Sequence, residues 1–399
     1  MGEADIMKPD YAQNMHLVGH SDQGGRRDGI QVMVENGFAY IGHLFSQGFS
    51  IVDVRNPKAP KAAGYLAAPA NTWNVHLQLA DHLLLVIHGK DVFADAAFTD
   101  EASYYKASAG AALGTAKPKA KRDWDAGLAV YDVSTPGKPR RIGFMPVSGG
   151  IHRIWWTGGR WAYVSALLDG FSDFIFMTVD MSDPANPREA GRYWLPGMNL
   201  AAGETPTWGP NAKYGLHHAI VSGNTAWGAW RDAGLMVMDV ADRAKPKLVV
   251  HLNWSPPFQG GTHNCLPLID RNLLVVLDEA VLDDFADGLK NIWIFDVEDR
   301  ANPIPVATMP VPQDAPYAGV ARTTVHTTCT RIARARSRAR RSFSPPGRTP
   351  GCASSTSRTS TGRRRSGRSF HRRRSASWTS ARARNRSSSP ATYSSTRRA

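Results

Sequence analysis

The chain has 399 residues and a formal net charge of +14, enough for one large all-β domain or two or three average ones. The charge is not spread evenly. Residues 321–399 hold 21 Arg and no Lys, Asp or Glu, so that stretch carries +21 and the other 320 residues carry −7. An acidic body excludes a basic globular domain, and no nucleic-acid partner is expected despite the basic tail.

In chain order, residues 1–14 read as an N-terminal extension. Its start, MGEADIMKPDYAQ, has neither the basic nor the apolar region of an export signal. Asn14 to His20 resembles the outer strand of a repeat. From there a phrase recurs five times: GFSIVDVRNPKAP from Gly48, GLAVYDVSTPGKP from Gly127, FMTVDMSDPANP from Phe176, GLMVMDVADRAKP from Gly234 and IWIFDVEDRANP from Ile292. Each copy is an alternating apolar strand that ends in Asp (Asp53, Asp132, Asp180, Asp239, Asp296) and runs into a Pro turn. A carboxylate at a strand end can accept backbone N–H bonds and start a turn, so these five Asp read as structural. A Pro stands seven residues after each Asp, at Pro60, Pro139, Pro187, Pro246 and Pro303. Pro cannot donate to a ladder and belongs between strands.

Three further strand-like stretches surround each phrase. One precedes it (FAYIGH, WAYVSAL, TAWGAW, LLVVLD), one earlier begins near a His (VHLQL, IHRIWW), and one follows (KAAGYL, RRIGFM, EAGRYW). Four strands per repeat at intervals of 48 to 79 residues is the spacing of propeller blades. The longest interval holds an Ala/Lys-rich insertion from about Gly89 to Trp124, expected to form a flap or exposed loop. A second insertion, Pro196 to Tyr214, is rich in Gly, Pro and Asn.

The recurring phrase resembles the LVIVD-repeat family of β-propellers, over residues ~15 to ~305. The resemblance implies a fold and says little of function. Many members of that family look secreted or surface-anchored; the lack of a signal here points instead to the cytoplasm. No apolar run approaches the ~20 residues of a membrane span, so no membrane partner is expected. The three cysteines, Cys265, Cys329 and Cys352, give no disulfide framework.

The expected architecture is therefore all-β: a propeller over residues 15–312, with about five complete blades from an ancestral six or seven, and a disordered Arg/Ser-rich tail over 313–399. The tail has two readings. It is a genuine basic arm, or a GC-rich gene translated out of frame. Starting each codon at the third base of the old one, Val325 to Ala335 permits Pro-His-Asn-Leu-His-Glu-Asn-Arg-Pro-Gly, and Pro350 to Ser357 permits Gly-Leu-Arg-Val-Phe-Asp-Ile. The second string is a sixth copy of the phrase, which favours the shifted frame. A chain of five blades should leave sheet edges exposed and be prone to aggregation.

Histidine placement carries the functional expectation. His76, His152, His217, His218 and His263 begin the first strands of successive repeats. Equivalent positions in a propeller face one axis, so His76, His152, His218 and His263 can form a ring of imidazoles that holds a transition metal (Fe, Cu, Ni or Zn). His217 would be a neighbour or a replacement for His218, since adjacent strand residues point to opposite faces. Glu279 could orient the ligands, and Arg153 and Arg231 could contact a substrate carboxylate. The competing reading is structural, because a repeat multiplies any structural residue as readily as a ligand. The first repeat, DGIQVMV, weighs against it by having no His. His43, His82, His88 and His251 lie off this register and read as ordinary surface or core residues. Trp155, Trp156, Trp161, Trp227 and Trp230 read as core. The acidic stretch Asp278 to Asp287 fits no calcium loop and reads as solvated.

No GxSxG, CxxC, phosphate loop or dinucleotide fingerprint is present, so no nucleotide cofactor is expected. Two function classes follow: a metal-dependent enzyme, oxidative or hydrolytic, with a small-molecule substrate in the axial channel, or a non-catalytic propeller that binds a protein or ligand through its top loops. The oligomeric state is not legible. Sequencing of the gene is expected to reveal a one-base insertion or deletion near codons 310 to 325, and an intact frame there would exclude the shifted reading.

Overall fold

The computed structural model describes residues 14–26, 28–91, 122–210, 212–258, 260–279 and 290–309. All of them fall in the first of two compact units, Met1–Ser344. The tail and most of the Ala/Lys-rich insertion lie outside the described residues.

The protein is a β-propeller. Its described residues form five antiparallel blades in chain order, blades 2 and 3 joined into one sheet where Gly150 pairs with Gly89. Blade 1 is β1 (Gly29–Glu35), β2 (Phe38–His43), β3 (Gly48–Asp53) and β4 (Lys61–Ala67). Blade 2 is β6 (Leu77–Ala80), β7 (Leu83–Lys90), β8 (Gly127–Asp132) and β9 (Arg140–Pro146), with the two-residue β5 (Thr72–Trp73) also paired to β7. Blade 3 is β10 (Gly150–Trp155), β11 (Trp161–Leu167), β12 (Ile175–Asp180) and β13 (Arg188–Tyr193). Blade 4 is β14 (His218–Ser222), β15 (Thr225–Ala229), β16 (Leu235–Asp239) and β17 (Lys247–Leu252). Blade 5 is β18 (Thr262–Leu268), β19 (Leu273–Asp278), β20 (Ile292–Asp296) and β21 (Ile304–Thr308). Among the described residues no helix is long and apolar enough to cross a membrane.

The recurring Asp does what turn chemistry predicts. Asp53, Asp132, Asp180, Asp239 and Asp296 end the third strand of each blade, and each accepts the backbone N–H two residues on, at 2.8 to 3.0 Å. In every blade that Asp also stands opposite the first residue of the second strand: Phe38, Leu83, Trp161, Thr225 and Leu273. The Asp therefore provides a common origin for comparing blades.

Apolar clusters lie between consecutive blades. Tyr40, Phe49 and Ile51 of blade 1 pack on Leu77, Leu84 and Val86 of blade 2. Leu85 and Leu128 pack on Ile154 and Val164 of blade 3, Phe176 on Met236 of blade 4, and Trp227 on Cys265 and Leu274 of blade 5. Trp155, Trp156, Trp227 and Trp230 are buried in these layers, as read from sequence, and Trp161 is half-buried. Full burial of each large aliphatic side chain contributes about 1.5–3 kcal/mol.

The phrase turn is the second contact between blades. The Tyr40 hydroxyl donates to the Pro136 carbonyl, and Arg300 donates to the Thr225 hydroxyl at 2.8 Å. Gly143 of β9 lies against the Pro184 carbonyl, and Gly191 of β13 against the Arg243 and Ala244 carbonyls. Each turn thus docks on the preceding blade. Gly19 lies in the same way against Pro57 and Lys58 of the blade 1 turn. The stretch expected to be an outer strand, Asn14 to His20, carries no strand in the structure. It nevertheless sits where the outer strand of a preceding blade would sit.

Outer blades differ from inner ones in burial. The third strand of blade 3, β12, is buried at every residue, whereas the third strand of blade 5, β20, is buried only at Phe295. Val34 on β1 and Val306 on β21 are 52% and 55% exposed. Packing at Gly143 gives a direct test. Gly143→Val is expected to destabilise the protein by about 1–3 kcal/mol, because its Cβ meets backbone rather than a movable side chain, and urea denaturation checks it.

Candidate functional site

Strand register decides which histidines share a level. In blades 1, 3 and 5 the pairing of first and second strands slips by one residue, between Gly29 and Gln31, Ile151 and Arg153, and Thr262 and Asn264. Ile30, His152 and His263 are therefore the extra residues of β-bulges, which re-aim a side chain. In blade 2 the same slip falls between Trp73, opposite Gly89, and Leu77, opposite Val86.

The residue after the bulge, and in blade 4 the first residue of β14, faces a fixed position, four residues beyond the start of the second strand. These pairs are Gln31 with Gly42, Arg153 with Ser165, His218 with Ala229 and Asn264 with Leu277. One step back from Leu77 and Val86 sets His76 opposite Ile87, whose N–H donates to the His76 carbonyl at 3.2 Å. His76 is thus equivalent to Arg153 and His218. His152 is equivalent to His217 and His263.

The expected four-imidazole ring is corrected accordingly. His76, His152, His218 and His263 do not form one group. Successive strand residues alternate faces, and the bulges place His152 and His263 one position out of phase with His76 and His218. His217, expected as a neighbour or substitute, stands at the same position as His152 and His263. Glu279, expected only to orient ligands, contributes a donor itself.

In the bulge layer the rings of His217 and His263 stack at 3.8 Å, and His152 lies 4.7 Å from His217. Glu279 Oε1 is 3.2 Å from His263 Nε2. One donor atom from each of His217, His263 and Glu279 lies within 4.8 Å of the other two, a group that could hold a metal ion. The His217 Nδ1 is 2.6 Å from the His263 carbonyl. A carbonyl only accepts, so Nδ1 carries the proton and Nε2 keeps its lone pair. Arg153 Nε donates toward that Nε2 at 3.3 Å. The His152 Nε2 is buried without a hydrogen-bond partner.

Burial first, and then the positive charges of Arg153, Arg231, His263 and Lys213, hold His152 well below the usual histidine range. His217 is held down in the same way by burial, Arg231, His263, Arg153 and His152. Both are neutral at physiological pH, the form that ligates metal.

Two buried arginines frame the site. Arg231 pairs its guanidinium with Glu279. Its backbone is left-handed (φ 49°) and fixed by reciprocal hydrogen bonds with Thr262 at 3.0 and 2.9 Å. Sequence reasoning missed Lys213, which is 5% exposed. It stands in a polar insertion, where a lysine reads as solvated, and only its burial beside the imidazoles reveals it.

The second layer joins blades. Gln31 Oε1 accepts the Leu77 N–H at 2.7 Å. His76 Nδ1 accepts the Ile154 N–H at 2.9 Å, the equivalent position of the next blade. His218 Nδ1–H donates to Asn264 Oδ1 at 2.7 Å, and burial holds His218 down to about 4. His76 and His218 meet edge to face at 5.2 Å.

His43, read as an ordinary surface or core residue, is a satisfied core residue, and the reading of Asp278 changes. His43 is 3.0 Å from Asp28 through Nδ1 and 2.8 Å from Ser50 Oγ through Nε2, in the order of a hydrolytic triad. Ser50 is 1% exposed, so the set has no approach for a substrate and serves as a buried latch. Burial alone would raise Asp28, but hydrogen bonds from the Ser46 hydroxyl and backbone outweigh it and hold the carboxyl at about 2. Asp278, read as solvated, is buried and accepts from Thr262, Trp254 and Trp293. Burial pushes it up to about 6. Residues 280–289 of that acidic stretch lie outside the described residues.

A propeller that brings stacked imidazoles together with a carboxylate and two buried arginines is the class that fold and site define. The family model of the LVIVD repeat matches residues 26–66, 156–194 and 218–253, consistent with an LVIVD-repeat protein. No curated protein matches the chain. Among solved structures it is similar to the Pseudomonas aeruginosa periplasmic gluconolactonase PpgL (12% identity, TM-score 0.47, covering 69% of this chain and 67% of that one). It is also similar to a putative 6-phosphogluconolactonase from Bacteroides fragilis (11%, 0.47, 74% and 72%). The β-propeller domain of Myceliophteria thermophila Cps50 (Swd1) is a third (13%, 0.42, 71% and 72%). These likenesses are too distant to bear on activity.

The blade-joining role of His76 is testable without metal. His76→Ala leaves the Ile154 N–H buried without its acceptor and is expected to cost about 1–3 kcal/mol of stability in urea denaturation of chelator-treated protein.

Proposed function

We propose that the bulge layer is a metal site, held by His217, His263 and Glu279 with His152 beside them, and that the protein acts on a small organic molecule entering along the propeller axis. The observation that carries this reading is the meeting of two buried imidazoles and a carboxylate, from two different blades, within 4.8 Å. Imidazole and carboxylate together suit Fe, Cu, Ni or Zn. Such a metal, when bound, supplies a Lewis acid and an activated water or dioxygen, the chemistry of hydrolytic or oxidative enzymes.

The chain's own residues have separate tasks. His217 is pre-set as a ligand, because its Nδ1–H is engaged by the His263 carbonyl and its Nε2 lone pair faces the site. Burial and the cationic surroundings keep His152 and His217 neutral. Arg153 and Arg231 are suited to orient an anionic group of the substrate.

A second reading, a non-catalytic ligand-binding propeller, has one observation in its favour. Arg231 on Glu279 and Arg153 on His217 already engage two of the donors. Metal analysis of the purified full chain separates the readings. About one transition metal per chain is expected, lost in His217→Ala and His263→Ala and kept in His76→Ala. Metal-free protein after loading, with stability unchanged by the first two substitutions, would assign the site to binding without metal.

A further inference from the structure

Positive charge surrounds the imidazoles of the bulge layer. Arg153 and Arg231 are each 8% exposed and Lys213 is 5% exposed. They come from three separate segments, and all three bear on the His152 ring. Arg231 holds Glu279, the carboxylate of the metal-capable group, and Arg153 donates to the Nε2 lone pair of His217. A metal ion must therefore draw both donors from arginines and then sit beside the guanidiniums it has displaced. Two positive guanidiniums and a dication repel strongly in a site screened from water.

One kind of ligand resolves the conflict. An oxyanion placed between the metal and the guanidiniums neutralises both. The planar guanidinium fork matches a carboxylate or phosphate through two parallel N–H bonds. Arg231 is built for this exchange. Its backbone is pinned to Thr262 on both sides, so its side chain can leave Glu279 without the strand moving.

We propose that the site takes its metal together with a small organic oxyanion, gripped by Arg153 and Arg231, so that metal and anion each strengthen the binding of the other. This rests on the metal reading above and names the substrate class for it: a small carboxylate or phosphate ester rather than a neutral molecule. Coupling of this kind is reciprocal, so the factor by which the anion tightens metal binding equals the factor by which the metal tightens anion binding.

The test is calorimetric titration of the full chain with zinc, alone and with saturating acetate or methyl phosphate. Zinc is expected to bind roughly tenfold tighter with the fitting anion, and that anion to bind tighter to zinc-loaded protein by the same factor. Tightening by acetate alone assigns a carboxylate, and by methyl phosphate alone a phosphate. Arg231→Gln and Arg153→Gln are expected to bind zinc alone more tightly than the parent, because a repelling charge is gone, and to lose the coupling. A merely structural arginine would produce neither change. Equal zinc affinity with and without both anions, or coupling undiminished in both variants, would overturn the inference and leave the metal site standing. Failure to bind zinc under every condition would instead remove the metal site itself, and the inference with it.

Discussion

Strand register governs this propeller. Each third strand ends on an Asp that caps its own turn and stands opposite the first residue of the second strand. Counted from that point, the five blades superpose position by position, although their loops differ in length. A one-residue bulge near the start of the first strand then shifts what lies before it. The side-chain period in a strand is two, so a slip of one residue exchanges faces. That slip separates a layer of imidazoles facing the site from a layer of polar side chains that tie one blade to the next.

The same repeat geometry explains where the protein is well packed and where it is open. Each blade buries one face against its predecessor, and its phrase turn docks against the predecessor's backbone or side chains. Blades 2 to 4 have neighbours on both sides. Blades 1 and 5 have one each among the described residues, and their strands β1 and β21 expose Val34, Ile304 and Val306. Gly19 repeats against blade 1 the contact that Gly143 makes with blade 3 and Gly191 with blade 4. A single steric rule, glycine where backbone meets backbone, recurs at three turns.

Electrostatics sets the character of the site. His152 and His217 are buried and held well below the usual histidine range, and the charged groups bearing on them are cationic. Glu279 is the carboxylate that meets both Arg231 and His263. An arrangement of this kind favours negative ligands and sets a condition on any cation that enters. The buried Asp28–His43–Ser50 set shows the contrast. It has the connectivity of a triad, but burial of His43 and Ser50 makes it a structural latch in blade 1.

The strands, the five blades and the role of the Asp residues were legible in the amino-acid order, because alternation and turn chemistry are local. His152, His217 and His263 were legible as candidates because His recurs at strand starts, and Glu279 was legible only as a carboxylate that could orient them. Their grouping was not. In sequence His76 and His152 occupy matching places, Asn-Val-His and Gly-Ile-His, and only the pairing of β10 with β11 shows that they differ by one position. Lys213 was hidden because burial belongs to the packed insertion and leaves no local mark. The sequence by itself determined a repeating all-β chain with histidines near its axis. Tertiary structure decided which of them meet, since a bulge depends on hydrogen bonds between strands and a field depends on charges brought together from separate segments.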